Sequence, residues 1–207
     1  MKGLLLKDWY LTKKYCKAYF LIIFSLVAGA FFSGNMFFAF FACVFCGMIP
    51  PTLISYDERS KWMQYSSTLP YTKAQLVSVK YLIGLIMQLA TFILTMGALA
   101  VRTSIDGNFS LLQFFIITLL MLIVSTLTPS VTLPFIFKLG AEKGRLVYCF
   151  AIGAVSGASA AFSKLINKQA IIRLDPAIII AVIAAVCILA YALSWYISIV
   201  FFKKKEL

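Results

Sequence analysis

The sequence predicts an all-α integral membrane protein with six transmembrane helices and both termini in the cytoplasm, and three observations carry that expectation. Of 207 residues, 62% are hydrophobic, and the mean hydropathy is +0.96. Long stretches carry no charge at all. The 19 lysines and arginines, set against 7 acids for a net charge of +12, gather in alternate gaps between those stretches. A charge at mid-bilayer costs about 2.5–3.5 kcal/mol on insertion scales, while Leu, Ile, Phe and Val each return roughly 0.3–0.6 kcal/mol, so uncharged runs mark spans.

These runs cover residues 18–56, 81–101, 107–137, 146–163 and 176–202. One helix needs about 20 residues to cross, so the first run must hold two, broken at Ser33-Gly34-Asn35. Spans are therefore expected near 18–33, 36–56, 76–101, 111–137, 146–163 and 177–202 of a single membrane domain, 1–207. Basic residues near helix ends favour the cytoplasmic side. With the amino terminus inside, 15 of the 19 basic residues fall on inner segments, and only Arg102, Lys164, Lys168 and Arg173 fall outside. The excess positive charge is then an orientation signal and an attraction to anionic lipid. Nucleic-acid binding is excluded, because no basic cluster sits in a soluble domain of useful size.

Residues 1–17 form the first element. Leu5, Leu6, Trp9 and Tyr10 fall at helical neighbour spacings among Lys2, Lys7, Lys13, Lys14 and Lys17, the pattern of a helix lying in the inner headgroup plane. It is either an orientation signal alone or also a brace on the first span. Ala28-Gly29-Ala30 resembles a signal-peptidase site, but the chain stays apolar far beyond it, so the first helix is expected to be retained. Around the first outer turn, Phe31, Phe32, Phe37, Phe38, Phe40, Phe41 and Phe45 cluster, with Met36 and Met48 nearby. Lipid contact and packing account for them; an adaptable apolar cavity is the alternative. Cys43-x-x-Cys46 lies mid-helix in a chain with no His, so apolar packing is expected there rather than a redox or metal site.

A polar island separates the second and third expected spans. Ser55-x-x-Glu58 has capping-box spacing, which predicts a short helix starting there with Asp57 and Glu58 near its positive end. Trp62, Met63 and Tyr65 supply apolar contact area beside Arg59 and Lys61. Pro70 ends that segment, and Thr72-x-x-Gln75 is a second capping box opening the third span. The alternative is an ordinary solvated loop with an interfacial Trp.

The fourth span ends in Ser125, Thr126, Thr128, Pro129, Ser130, Thr132 and Pro134. Hydroxyls can re-satisfy carbonyls freed by proline, so this stretch is either local repair or a hinge. The fifth contains Gly153-x-x-x-Gly157 with Ser156 and Ser159, small residues that permit close helix approach within one subunit, at a dimer interface or along a pathway. Residues 163–175 have the pattern of an outer interfacial helix, and Asp175-Pro176 reads as a cap and first-turn proline for the last span.

The absences narrow the function. No Asp, Glu, Lys, Arg or His falls within the uncharged runs, which disfavours ion-coupled transport. His-Glu-x-x-His, Gly-x-Ser-x-Gly and Walker-type patterns are absent, so no catalysis and no P-loop ATP binding are expected of this chain. Any energy for work has to come from another subunit.

The stretch Tyr56-Asp57-Glu58-Arg59-Ser60-Lys61-Trp62, followed by Ser67-x-Leu69-Pro70-x-x-Lys73-x-Gln75-x-Val77-x-x-Lys80-Tyr81, resembles the signature of the half-size ABC-2 type permeases of bacterial ABC exporters. The resemblance implies that residues 57–68 are a coupling helix seated in a groove of a separate cytoplasmic ATPase that binds the ATP and Mg. Asp57, Glu58, Arg59, Lys61, Trp62 and Tyr65 would be its contacts, with Trp62 and Tyr65 as aromatic anchors. It further implies a second permease copy or a sister permease, with Gly153, Ser156, Gly157, Ser159, Phe38, Phe41 and Phe45 near the pathway or dimer interface. Related small permeases export amphipathic peptides such as phenol-soluble modulins, or serve antimicrobial-peptide immunity or drug efflux. The expectation is thus a multi-pass exporter subunit of the bacterial cell membrane that binds no cofactor itself and moves amphipathic or hydrophobic cargo outward. A non-transporting membrane scaffold or regulatory subunit is the alternative.

Overall fold

The computed structural model describes residues 2–66, 68–105, 111–140, 150, 153 and 176–204. No strand occurs among them. The helices are α1 (Lys2–Tyr15), α2 (Lys17–Ser33), α3 (Met36–Cys46), α4 (Ile49–Arg59), α5 (Trp62–Ser66), α6 (Lys73–Ile105), α7 (Leu111–Leu139) and α8 (Pro176–Lys204). Four stretches are long and apolar enough to cross a membrane: Met36–Arg59, Lys73–Ile105, Ile117–Leu139 and Ala184–Lys204. The bent pair α1 and α2 is a fifth if taken as one span. Of the expected fifth span only Phe150 and Gly153 are described, and the expected outer helix at 163–175 lies outside the described residues.

The two helices turn from each other by 71° at Cys16. Leu4, Asp8 and Thr12 share one face of α1 and are buried, whereas Leu6, Trp9 and Tyr10 remain exposed. For a helix beside a bilayer that orientation is sensible, since lipid receives the apolar face and the protein the polar one.

The chain reverses between α2 and α3 by the local chemistry of Ser33-Gly34-Asn35. Gly34 caps α2 at φ 66°, a left-handed conformation that glycine adopts without steric penalty, and donates its N–H to Ala30 O. Asn35 caps α3 by accepting from the Phe37 N–H at 3.0 Å. The expected break is therefore where the sequence puts it. The expected second span, 36–56, falls within the apolar stretch Met36–Arg59, but its helix is interrupted: α3 stops at Cys46, a turn occupies Gly47–Met48, and α4 starts at Ile49. Pro50 and Pro51 explain the division. Inside a continuous helix each would remove a hydrogen bond and crowd the preceding turn, but in a first turn their missing N–H groups have no role.

That early start also overturns the capping box expected at Ser55. Ser55 lies inside α4, which runs on to Arg59, and the short helix α5 begins only at Trp62 after a turn at Ser60–Lys61. Lys61 adopts φ 54°, in the left-handed region. The excursion is thus joined to the second span through a turn rather than as a continuous helix. The second capping box does form: the Thr72 N–H donates to Gln75 Oε1 at 3.1 Å, and the Gln75 N–H to Thr72 Oγ1 at 3.3 Å.

With 33 residues, α6 is about 50 Å long, well beyond a hydrocarbon core of roughly 30 Å. It touches α1, α2, α3, α4, α7 and α8. Where it crosses α4 the two backbones come close at Gly84, since a Cβ there would stand 2.8 Å from Pro50 Cγ. In the proline-bearing half of α7 hydroxyls bond back along their own helix, Ser130 Oγ to Thr126 O at 2.7 Å and Thr132 Oγ1 to Thr128 O at 2.8 Å, but neither carbonyl is one that Pro129 or Pro134 frees. Pro134 has no N–H for the Ser130 carbonyl, which Ser194 Oγ of α8 occupies at 2.6 Å.

Replacing Gly84 by Val pushes a side chain into the Pro50 ring and is expected to cost about 1–3 kcal/mol. Gly97→Ala, where nothing lies within 4 Å, is expected to be neutral or stabilising by up to about 1 kcal/mol. Thermal unfolding of both variants in detergent measures the contrast, and equal behaviour contradicts the close crossing.

Candidate functional site

The charges of the polar island do not all face outward. Asp57, near the end of α4, points inward, where it meets Lys80 of α6 and Lys7 of α1. Lys80 Nζ is 2.5 Å from Asp57 Oδ2 and 2.7 Å from Asp8 Oδ2. Lys7 Nζ lies 2.5 Å from Asp57 Oδ1 and 3.4 Å from Asp8 Oδ1. Two lysines and two aspartates thus alternate around a square with no net charge, joining three helices. Asp8, Asp57 and Lys80 are each no more than 5% exposed. The contacts of Lys80 are ion pairs by distance, without hydrogen-bond alignment.

Electrostatics give this square its rigidity. Withdrawing one ion from water costs several kcal/mol, so each of these charges is tolerable only while its partners stay beside it. Burial, with the neighbouring Lys80 charge, lowers the Lys7 ammonium below the ordinary lysine value; the hydrogen bond to Asp57 and the charges of Asp57 and Asp8 oppose that shift. Lys7 Nζ also sits 4.1 Å from the centroid of the Trp62 ring, which ties α5 to α1 by a cation–π contact.

The sequence-predicted contact residues therefore divide in two. Asp57 belongs to the square, and Trp62 is half-buried against Lys7 and the apolar core that includes Leu4, Leu53 and Val79. Arg59 and Lys61 are exposed, and Tyr65 is 59% exposed with its ring centroid 5.5 Å from that of Trp62. Glu58 is half-buried beside Gly140, past the end of α7. The outer surface of the turn thus presents Arg59, Lys61 and Tyr65, while Asp57 and Trp62 grip the body beneath.

Sequence reasoning missed Lys7, Asp8 and Lys80 as a set. One signal was available: Asp8 is the only acid in the first 56 residues, standing among lysines, and it shares the Leu4-Asp8-Thr12 face. In the sequence Lys80 stands out only as an inner-side charge and as part of the Lys80-Tyr81 end of the family signature.

Beside Lys80, Tyr81 organises a second polar cluster. Its hydroxyl lies 2.8 Å from Ser194 Oγ and 2.6 Å from Ser198 Oγ, and its ring stacks on Trp195 at 5.6 Å. Trp195 Nε1 donates to Ser78 Oγ at 3.0 Å, and the Tyr191 hydroxyl donates to the Tyr81 carbonyl at 2.8 Å. Through Lys80 and Tyr81, adjacent residues of α6 hold α1 and α4 by charge and α8 by hydroxyl bonds.

Of the residues expected near a pathway, Phe38, Phe41 and Phe45 are half-buried. Phe38 lies against Gly29, whose Cβ would stand 3.2 Å from its ring, and Phe41 is 4.4 Å from the Phe37 ring centroid. Phe45 packs on the core around Cys46. Ser156, Gly157 and Ser159 lie outside the described residues. Cys43 and Cys46 are buried free thiols, with Cys43 Sγ 4.0 Å from Met121 Sδ.

Asp57→Asn leaves two lysines on one aspartate, and Lys80→Gln leaves two aspartates on one lysine. Each is expected to lower stability by about 3 kcal/mol, and the double variant, neutral again, to recover a large part of the summed loss. Additive losses in thermal unfolding contradict the square. At the α1–α2 bend, burial pushes the Cys16 thiol up to about 11. Because the thiolate is the reactive form, maleimide should leave Cys16 unmodified at neutral pH in the folded protein, with labelling rising as pH approaches that value. Rapid labelling at neutral pH, followed by peptide mapping, would place Cys16 at the surface.

A search of curated proteins and one of solved structures each found no match. The family model described as ABC-2 family transporter protein matches residues 3–203, which takes in every helix from the ion square to the hydroxyl cluster. A multi-pass chain of apolar helices matched over that length is a membrane component and generally not a catalyst: this chain belongs to the ABC-2 transporter family, whose members form the membrane part of ABC transporters.

Proposed function

We propose that this chain is the transmembrane subunit of an ATP-driven exporter in the bacterial cell membrane, and that residues 57–68 receive movement from a cytoplasmic ATPase carrying the ATP and Mg. The observation that carries the proposal is the two-sided build of the polar turn. Arg59, Lys61 and Tyr65 face outward, and directly beneath them Asp57 is locked to Lys7 and Lys80. A lever needs such a build: a contact surface of mixed aromatic and cationic character and a stiff attachment to what it moves. A push on the turn passes through Asp57 to Lys80 on α6, and through Tyr81 to α8.

In this proposal the chain spans the membrane six times with both termini inside, and it pairs with a second copy or a sister permease, since one such half does not enclose a path. The fifth span, with Gly153, Ser156, Gly157 and Ser159, faces that partner. Phe38, Phe41 and Phe45 line the apolar route. Uncharged spans and abundant Phe suit amphipathic peptide or other hydrophobic cargo, taken from the cytoplasm or inner leaflet and released outside.

The test is a photo-crosslinker at Tyr65, the exposed aromatic residue of the turn, in native membranes. Capture of a nucleotide-binding subunit is expected, and Tyr65→Ala should reduce its co-purification about tenfold while thermal stability stays unchanged. Capture of lipid alone by a functional probe would return the turn to an interfacial loop and the chain to a scaffold.

A further inference from the structure

We propose that the groove between α1 and the α4–α5 corner binds one anionic phospholipid of the inner leaflet, with its phosphate on Arg59 and its apolar part against Leu11, Tyr15 and Tyr56. The groove measures about 340 Å³, within the range of roughly 300–1,000 Å³ usual for small-molecule sites. Its lining is mostly apolar and aromatic: Leu11, Trp62, and the Tyr15 and Tyr56 rings, which stack at 4.2 Å. Lys7 and Asp57 also reach it, but both belong to the square and cancel there.

Arg59 is different. It is exposed at the last position of α4, and among the described residues no ion pair reaches it. A guanidinium at the mouth of an aromatic groove is chemically complementary to a phosphodiester, which it grips with two parallel N–H bonds. Ser60 lines the same groove, with its hydroxyl donating to the Asp57 carbonyl at 3.3 Å.

Depth selects lipid over other anions. One wall of the groove is α1, which also exposes Leu6, Trp9 and Tyr10 among Lys2 and Lys13, the composition of a helix in the headgroup layer. The other wall is the end of an apolar helix leaving the membrane. Basic groups at that level draw anionic lipid. Only the membrane location is required here, and an ATPase partner is not.

The same lipid reaches three elements at once. Tyr15 is at the end of α1, Tyr56 and Arg59 are on α4, and Trp62 opens α5. An occupied groove therefore braces the turn.

The experiment is native mass spectrometry of the full-length chain in detergent, titrated with phosphatidylglycerol or phosphatidylcholine. One phosphatidylglycerol per chain should survive into the gas phase and outcompete phosphatidylcholine. Arg59→Ala should weaken its retention about tenfold or more, with Arg59→Lys intermediate. Lys13→Ala, on the exposed face of α1, should retain it as the parent does. Unfolding temperatures of the variants check that each stays folded. Equal retention by Arg59→Ala, equal binding of the two lipids, or the same loss in Lys13→Ala overturns the site. Loss of a protein partner from Arg59→Ala with lipid retention intact also overturns it, and makes the groove a seat for an acidic side chain.

Discussion

Four charges, three of them buried, meet at one end of the helical domain and constrain everything around them. Neither lysine nor aspartate is tolerable there alone, so Lys7 and Asp8 of α1, Asp57 of α4 and Lys80 of α6 must meet, and α1 has one way to dock. Docked by its polar face, α1 turns Leu6, Trp9 and Tyr10 outward. The polar docking face and the 71° bend at Cys16 together turn α1 away from the line of α2. An all-apolar replacement of the square would be as stable or more so in many proteins. Its use here is directional, because charges specify which residues touch, whereas apolar surfaces slide.

Next to the square, α6 changes chemistry by one residue. Lys80 holds α1 and α4 by charge, and Tyr81 holds α8 through two serine hydroxyls, one of which also takes the Ser130 carbonyl that Pro134 leaves open. The helices α1, α4, α6, α7 and α8 are thereby joined at one end of the domain through polar contacts around two adjacent residues. Deeper in the membrane the joints are of another kind. Gly84 admits Pro50, and Gly47 admits Thr128, whose Cγ2 would lie 2.9 Å from an added Cβ. Gln88 Nε2 donates to the Cys43 carbonyl at 3.2 Å, just before the turn that divides the second span. Specific bonds around Lys80 and Tyr81, with close packing along the broken helix, fix the turn to α6.

In the lever we propose, the polar turn is the surface through which displacement would enter. Its anchoring residues, Asp57 and Trp62, and its outward residues, Arg59, Lys61 and Tyr65, alternate within a short stretch, so that recognition and attachment are separated by which way each side chain points. The groove at Arg59 adds a lateral support that depends on the membrane itself.

Much of the local structure was legible in the residue order. The uncharged runs located the long apolar helices, and Ser33-Gly34-Asn35 marked a helix break. Thr72-x-x-Gln75 marked a helix start, and the Tyr56–Trp62 stretch pointed to the family. Each of these depends on neighbours within a few positions, where backbone geometry and hydrogen-bonding rules act directly. Ser55 misled because its spacing fits a cap, while Pro50-Pro51 had already started the helix upstream. What only the tertiary structure decided is which distant groups meet: Lys7 with Asp57, 50 positions apart, and Tyr81 with Ser194, 113 apart. A lone Asp among lysines and a Lys at the head of an apolar run look like surface charges in one dimension. They become a buried, neutral junction only when folding brings them together, because the cost of dehydrating each one is offset by partners that the local sequence does not contain.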